Sequence, residues 1–293
     1  MLHHDRGQFI KILERSSAQT GFPLRLLEKD YYLTIILSQI NHELSHDLIF
    51  KGGTCLNKIY YSYYRLSEDL DFSLRLPQNE TTRALRRKLI QPIKESIRTF
   101  ANMLDLDVPD LEKSGYSEST QYIFYLWYDS VVLNKKEKIK LEIGLRFNPI
   151  LPVETKKIKH KFFHPFTGEP LFDGGGVISL ALKELIAEKL RAATTRLSIA
   201  PRDFYDLHFL LPERFDFTDQ EFLNLFKKKL AEDHFPTSLK KYGHNLGRTD
   251  KEISDMQSRL EFELFPVLPP KEKERFDIQS MLDNFNKIFK DLE

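Results

Sequence analysis

The chain has 293 residues, 41% hydrophobic and 30% charged, with 44 Lys and Arg against 43 Asp and Glu for a net charge of +1. That length is enough for a core and two domains, and so even a balance excludes whole-molecule attraction to nucleic acid while leaving room for local patches. A single cysteine, Cys55, excludes an internal disulfide framework and suits a reducing cytoplasm; neither a signal peptide nor a bilayer-spanning segment is expected.

Tyr31, Ile35, Ile36 and Ile40 recur at helical spacing and predict a helix over 24–44. Residues 47–51 then read as a short strand running into Gly52-Gly53-Thr54, and 55–64 as a helix. Strand, two glycines, a hydroxyl and a helix start make an anion site: glycine lets backbone approach a phosphate, and the N–H groups and positive dipole end of the helix attract it. Thr54 adds a hydroxyl donor. Read alone, the run favours a plain tight turn with Thr54 as N-cap.

Leu70, Phe72, Leu74 and Leu76 alternate with Asp69, Asp71, Ser73 and Arg75, a strand with one apolar and one polar face. Both carboxylates point the same way, roughly 7 Å apart along the strand. Like charges on one face repel unless a cation joins them, and magnesium commonly takes one or two carboxylates plus substrate phosphates. A solvated polar face is the bland alternative. A helix over 81–104 and a strand over 121–128 follow, with Asn134-Lys135-Lys136-Glu137 as a hairpin turn. In the strand 138–146, Ile139, Leu141, Ile143 and Leu145 face in while Lys140, Glu142 and Arg146 face out. Glu142 is there a third carboxylate, able to hold a second metal and draw a proton from an acceptor hydroxyl, or an ordinary cross-strand partner of a Lys or Arg.

Gly174-Gly175-Gly176 reads as a linker, after which helices are predicted over 180–196, 203–211, 219–231, 251–263 and 277–292, the last pair punctuated by Phe265-Pro-Val-Leu-Pro-Pro270. The expected architecture is α+β: a small mixed-sheet domain over 1–173 and a helical domain over 177–293, with the active site between them. Lys135 to Lys161 carries nine Lys or Arg against three Glu, and Lys227-Lys228-Lys229 with Lys240-Lys241 forms a second basic cluster. Such patches track an RNA backbone or are simply solvated charge. His160 and His164 are expected at the surface and not at a zinc site.

The pattern Phe50-Lys-Gly-Gly-Thr54 with Arg65-x-Ser67-Glu-Asp69-x-Asp71 resembles the AbiEii/AbiGii toxin family of polymerase-β-like nucleotidyltransferases. Glu28-Lys-Asp30-Tyr-Tyr-Leu upstream is similar to the family's N-terminal helix. Glu184 to Lys189, with Arg202-Asp203-Phe-Tyr-Asp206-Leu, is similar to its second signature block. The resemblance spans about 28–210. It implies a toxin of a bacterial type IV toxin–antitoxin or phage-defence pair (abortive infection) that moves a nucleotide from a triphosphate to an acceptor and releases pyrophosphate. Some members act on the acceptor end of transfer RNA. It further implies Mg2+ in a two-metal site, a nucleoside triphosphate as substrate, a cognate antitoxin, and no membrane. The residues carried over are Gly52, Gly53, Thr54, Arg65 and Ser67 toward phosphate, Asp69, Asp71 and Glu142 toward metal, and Lys189 with Asp203 or Asp206.

Physical chemistry supports the second block separately. Leu182, Leu185, Ile186, Lys189, Ala193 and Arg196 share one helix face, so Lys189 interrupts an apolar stripe. Either its stem packs and its head reaches solvent, or its head meets an anion, from Asp203 and Asp206 or from a triphosphate. The competing functions are a nucleotide-binding interaction module without turnover, and transfer to a small molecule or a protein hydroxyl. Ser67, two residues before Asp69, would on phosphorylation place negative charge beside the metal site and block triphosphate entry.

Overall fold

A computed structural model describes residues 1–77, 82–111, 114–196, 200–211, 214–235, 237 and 249–290, with backbone alone over 285–290. It divides into two compact units, Met1–Leu180 and Ala181–Glu293.

The first unit opens with α1 (Arg6–Thr20) and α2 (Leu24–Gln39), the latter continuing as a π-helical turn over Ile40–Leu44. Then come β1 (Leu48–Lys51), α3 (Gly52–Cys55) with its π-helical extension Leu56–Tyr61, β2 (Leu70–Leu74) and α4 (Arg83–Asn102). The remaining strands are β3 (Gly115–Tyr116), β4 (Gln121–Asp129), β5 (Lys136–Gly144), β6 (Glu154–Lys157) and β7 (Gly176–Ser179). These described strands form one mixed sheet in the order β3-β4-β5-β2-β1-β7-β6. β2 pairs parallel with β5, β1 parallel with β7, and β1 antiparallel with β2.

Leu48, Ile49 and Phe50 are fully buried, as a continuous apolar run in a central strand should be. β4 and β5 instead alternate, with Tyr122, Phe124, Leu126 and Tyr128 inward beside Ile139, Leu141 and Ile143. Tyr128 stacks on Tyr32 of α2, ring centroids 4.2 Å apart, which places α2 on that inner face and leaves the odd residues of β4 on the other.

Three expectations change. The glycine run is part of the sheet, not a linker: Gly176 starts β7, a Cβ on Gly174 would lie 2.5 Å from the Ile158 carbonyl, and one on Gly175 would lie 3.1 Å from Ser38. The helix expected over 55–64 starts at Gly52, turns π-helical at Leu56 and ends at Ser62 and Tyr63, both with positive φ. The hairpin turn between β4 and β5 runs from Ser130 to Lys135, leaving Lys136 and Glu137 inside the strand.

The second unit holds α5 (Leu182–Thr195), α6 (Pro201–Leu210), α7 (Gln220–Glu232), α8 (Asp250–Glu263), α9 (Pro270–Arg275) and α10 (Ile278–Lys290). Pro201 occupies the first turn of α6, Asp219 caps α7, and Thr249 with Glu252 forms a capping box for α8. Lys229 corrects the basic-cluster expectation. It is buried on α7, its ammonium 2.6 Å from Glu184 Oε1, 3.2 Å from Glu188 Oε1 and 3.3 Å from Glu232 Oε2. A lysine held this way is unavailable to RNA; Lys240 and Lys241 lie outside the described residues. His160 is likewise not at the surface: its ring lies flat on Phe172 at 4.3 Å and Nε2 meets the Phe172 carbonyl at 2.9 Å. His164 is exposed.

Candidate active site

Lys51 ends β1 in extended conformation and Gly52 turns the chain at φ +78°. A Cβ at Gly52 would stand 2.3 Å from Asp71 Oδ2, so both the backbone angle and the carboxylate demand glycine there. At Gly53 the neighbour is the guanidinium of Arg65, 2.6 Å from where a Cβ would be. The two glycines are thus the points where an acid and a base of the later segment reach the loop. Arg65 is almost fully buried, donates to the Leu66 carbonyl at 2.7 Å and faces the Tyr64 ring, a place suited to steadying the loop. Thr54, also buried, donates its proton to the Asp69 carbonyl and lies 2.8 Å from Ser67 Oγ. Its hydroxyl ties the loop to the start of β2, a different use from the donor expected toward phosphate. Ser67 precedes β2 and does not extend the strand face.

Sheet register sets the acids. Lys51 pairs with Asp71 across β1 and β2, and Asp71 with Glu142 across β2 and β5, so the three form one charged row on one face. Burial, and next the like charge of Glu142, push the Asp71 carboxyl up to about 6; Asp69 adds to this, while Lys51 and Lys140 oppose it. Lys140 Nζ sits 2.7 Å from Glu142 Oε2. Burial pulls the Lys140 ammonium down, but its bond to Glu142 and the charges of Glu142, Asp69 and Asp71 outweigh that and hold it above the usual lysine range.

Does this row fit a divalent cation? The donors are carboxylate oxygens, the hard ligands magnesium prefers, and the missing side chain at Gly52 lets the Asp71 carboxylate lie directly against the loop. A carboxyl raised first by burial and next by a neighbouring carboxylate has a standing need for positive charge, which Lys51 and Lys140 meet in part. The ligand atoms of Asp69, Asp71 and Glu142 do not all lie within 4.8 Å of one another, a spacing met among the described residues by His3, His4 and Asp105. The row therefore suits a cation shared with a polyphosphate better than an all-protein cage.

α2 positions these elements through charges on its buried face. Glu28 accepts from Ser130 Oγ and the Val131 N–H, both at 2.6 Å, closing the β4–β5 hairpin. Lys29 meets Glu68 at 3.3 Å, next to Asp69. Asp30 Oδ1 is 2.8 Å from the fully buried Lys58 ammonium, which also donates to Thr34 Oγ1 and Tyr63 OH, each at 2.8 Å. Tyr63 in turn donates to Asp30 Oδ2 at 2.6 Å. Lys58, Tyr63 and Lys140 were missed in the sequence. A lysine among the apolar residues 55–59 was the available sign for Lys58.

In the second unit, Lys189 Nζ lies 2.8 Å from Asp203 Oδ1 and 2.9 Å from Asp206 Oδ2, and Arg196 meets Asp203 Oδ2 at 2.7 Å. Asp206 is fully buried and Asp203 nearly so. Of the two resolutions open to a lysine on an apolar stripe, the structure shows the head on a protein anion, and both aspartates share it.

Comparison with known proteins adds identity. The family model described as nucleotidyl transferase AbiEii toxin, type IV toxin–antitoxin system, matches residues 35–286. The fold is similar to that of MenT4, a nucleotidyltransferase toxin from Mycobacterium tuberculosis H37Rv, at TM-score 0.57 and 15% identity, covering 97% of this chain and 98% of that one. It is similar also to a Helicobacter pylori protein described as a nucleotidyltransferase, at TM-score 0.52 and 18% identity over 92% of this chain and 94% of that one. JHP933 of Helicobacter pylori gives TM-score 0.51 and 18% identity over 92% and 93%. At such identities the likeness is one of fold. No curated protein matches, and no described helix is long and apolar enough to cross a membrane. With its family model matched over most of its length, the chain is a nucleotidyltransferase belonging to the AbiEii toxin family of type IV toxin–antitoxin systems.

Proposed function

We propose that this enzyme transfers a nucleotide from a nucleoside triphosphate to the 3′ end of an RNA, transfer RNA foremost, in the cytoplasm and under restraint by a cognate antitoxin. The observation that carries the reading is the Asp71–Glu142 row beside Gly52, where register sets two carboxylates side by side and the glycine lets Asp71 lie against the loop. Asp69, Asp71 and Glu142 are the residues to hold Mg2+. With that ion bound, charge on the transferring phosphate is neutralised and the acceptor hydroxyl becomes more acidic.

The chain's own groups supply the rest. Gly52 and Gly53 let Asp71 and Arg65 reach the loop that would receive the triphosphate, and Arg65 and Thr54 keep the loop against Asp69, with Ser67 alongside. Glu142, freed from Lys140, accepts the acceptor's proton. The acceptor oxygen bonds the α-phosphorus as the bond to the β-phosphate oxygen breaks, and pyrophosphate leaves. Positioning and preorganised charge carry the rate. Lys189 belongs to the same reading through the second signature block of the family, oriented by Asp203 and Asp206 within its own unit.

The test is incubation of the protein with each labelled triphosphate, Mg2+ and total RNA. Label enters RNA with the parent and is lost with Asp69→Asn, Asp71→Asn and Glu142→Gln, while Lys189→Met lowers the rate and Lys189→Arg restores part of it. Absence of label in RNA with all four nucleotides refutes the RNA acceptor. Label appearing on protein or small molecules alone moves the reading to those hydroxyls, and triphosphate binding without any transfer reduces the chain to a binding module.

A further inference from the structure

The open face of the sheet does not end at the acidic row. Register places Ile123 opposite Glu142, Tyr125 opposite Lys140, Trp127 opposite Lys138 and Asp129 opposite Lys136. Since residues two apart on a strand share a face, Lys140, Lys138 and Lys136 continue from Glu142 down β5, and Tyr125 and Trp127 continue beside them on β4. The inward residues of both strands are the buried ones. On the outward side Tyr125 is 38% exposed and Trp127 is half-buried. The Lys138 ammonium lies 4.3 Å from the centroid of Tyr125 and 5.5 Å from that of Trp127. Where the strip ends, a cavity of about 470 Å³ is lined by Trp127, Lys136, Arg98, Asn102 and Asp107, a size usual for small-ligand sites.

We infer that Tyr125, Trp127 and Lys138 form a stacking track for the unpaired nucleotides just upstream of the acceptor hydroxyl, with the cavity beside Trp127 receiving one base. This rests on the RNA-acceptor reading above and names the part of the enzyme that would hold that RNA. Three features of the strip agree with single-stranded nucleic acid. Outward-facing aromatic rings at two-residue spacing, about 7 Å, offer successive stacking surfaces that tolerate any base. Lysines alternate with them on the neighbouring strand, in reach of a backbone that runs along the sheet. The charge order has a direction: a 3′ terminus carries a hydroxyl without a phosphate and suits the acidic end, while its upstream phosphates suit Lys138, whose ammonium lies over the two rings; Lys140 and Lys136 are paired with Glu142 and Asp107 at 2.7 and 2.6 Å. Trp127 stands four residues from the Glu142 row, about 13 Å along the strand, so the track lies beyond the reacting end. In the cavity Asn102 offers donor and acceptor to a base edge, while Arg98 donates to the Val108 and Pro109 carbonyls at 3.2 and 3.3 Å and Asp107 holds Lys136 at 2.6 Å. Lys138 now covers the two rings as a cation–π partner, a weak contact at an exposed site that a base can take over as the ammonium moves to phosphate.

Trp127 is the chain's single tryptophan, so its emission reports the track directly. The experiment titrates the full chain with a short single-stranded oligoadenylate carrying a fluorescent label, without triphosphate, and follows Trp127 emission together with label anisotropy. Expected is saturable quenching that tracks the anisotropy and weakens with salt. Lys138→Gln should reduce the salt slope by about 0.7. Tyr125→Ala should weaken binding roughly 5- to 150-fold, the range for loss of one stacked base. In transfer assays Trp127→Ala should raise KM for RNA by a similar factor and leave KM for the triphosphate unchanged, while Trp127→Phe, which keeps a stacking face and guards against misfolding, restores KM for RNA.

Anisotropy that rises without any change in Trp127 emission overturns the track, as does a purified antitoxin that quenches Trp127 where RNA does not, which would make this face a protein interface. The two readings fail separately. Label transfer to RNA with unaltered KM in Trp127→Ala removes the track and keeps the acceptor. Quenching by RNA with no transfer to it keeps the track and removes the acceptor.

Discussion

Replacing Lys58 by Met keeps the stem and deletes an ammonium that joins the helix after the glycine loop to α2. The side chain is fully buried, and its three donors meet Asp30, Thr34 and Tyr63, each at 2.8 Å. Nothing in that environment resembles water, so losing the charge strands the Asp30 carboxylate. Breaking one side of a buried pair costs about 3–5 kcal/mol. Asp30 keeps the Tyr63 hydroxyl at 2.6 Å, which argues for the lower end, about 3 kcal/mol. In a unit of this size each kcal/mol moves Tm by about 2–4 °C, so a fall of roughly 6–12 °C is expected. Urea denaturation followed by Trp127 emission is the suitable assay, because Trp127 lies in the same compact unit, Met1–Leu180. Lys58→Met combined with Asp30→Leu should recover most of the loss, since an apolar pair carries no desolvation cost. A single variant within about 1 kcal/mol of the parent, or a double variant as unstable as the two singles summed, refutes the reasoning.

Gly52→Ala should fold and lose at least about 10²-fold in transfer rate, because its Cβ would displace Asp71 while φ +78° disfavours any side chain; circular dichroism with a transfer assay checks both halves. Burial lowers the His160 pKa, so the unfolded chain binds the proton more readily and stability falls as pH drops below 6.5. The raised acids Glu28 and Glu232 act in the opposite sense. The comparison is therefore between proteins: between about pH 5 and 6.5 the unfolding free energy of His160→Gln should rise less with pH than that of the parent. Lys229→Met should destabilise the second unit by about 3–5 kcal/mol at neutral pH, with partial recovery in acid as Glu232, whose pKa burial raises, takes up its proton, read by thermal scans at two pH values.

What the sequence disclosed and what it hid divide along the range of the interactions. Alternation in 70–76 and 138–146 was enough to put Asp71 and Glu142 on polar faces, and register then made them neighbours. Helical spacing exposed Lys189 as an intruder on an apolar stripe, and its aspartates were found where the next helix put them. Lys227-Lys228-Lys229 misled because a run of like residues conceals the helix period, which turns only Lys229 inward onto acids of α5 and α7. His160 depends on Phe172, twelve residues away in a segment without regular periodicity. The glycine run looked like a spacer because β7 is four residues long and the atoms that crowd Gly174 and Gly175 belong to Ile158 and Ser38.

That same short strand determines when the molecule can become whole. β1 lies between β2 and β7, and its second partner is synthesised more than a hundred residues after it. Until residue 179 has emerged from the ribosome, β1 has an open hydrogen-bonding edge and the glycine loop at its end has support from one side alone. A nascent or truncated chain would therefore present an unpaired strand edge, open to pairing with another chain, beside a glycine loop held from one side.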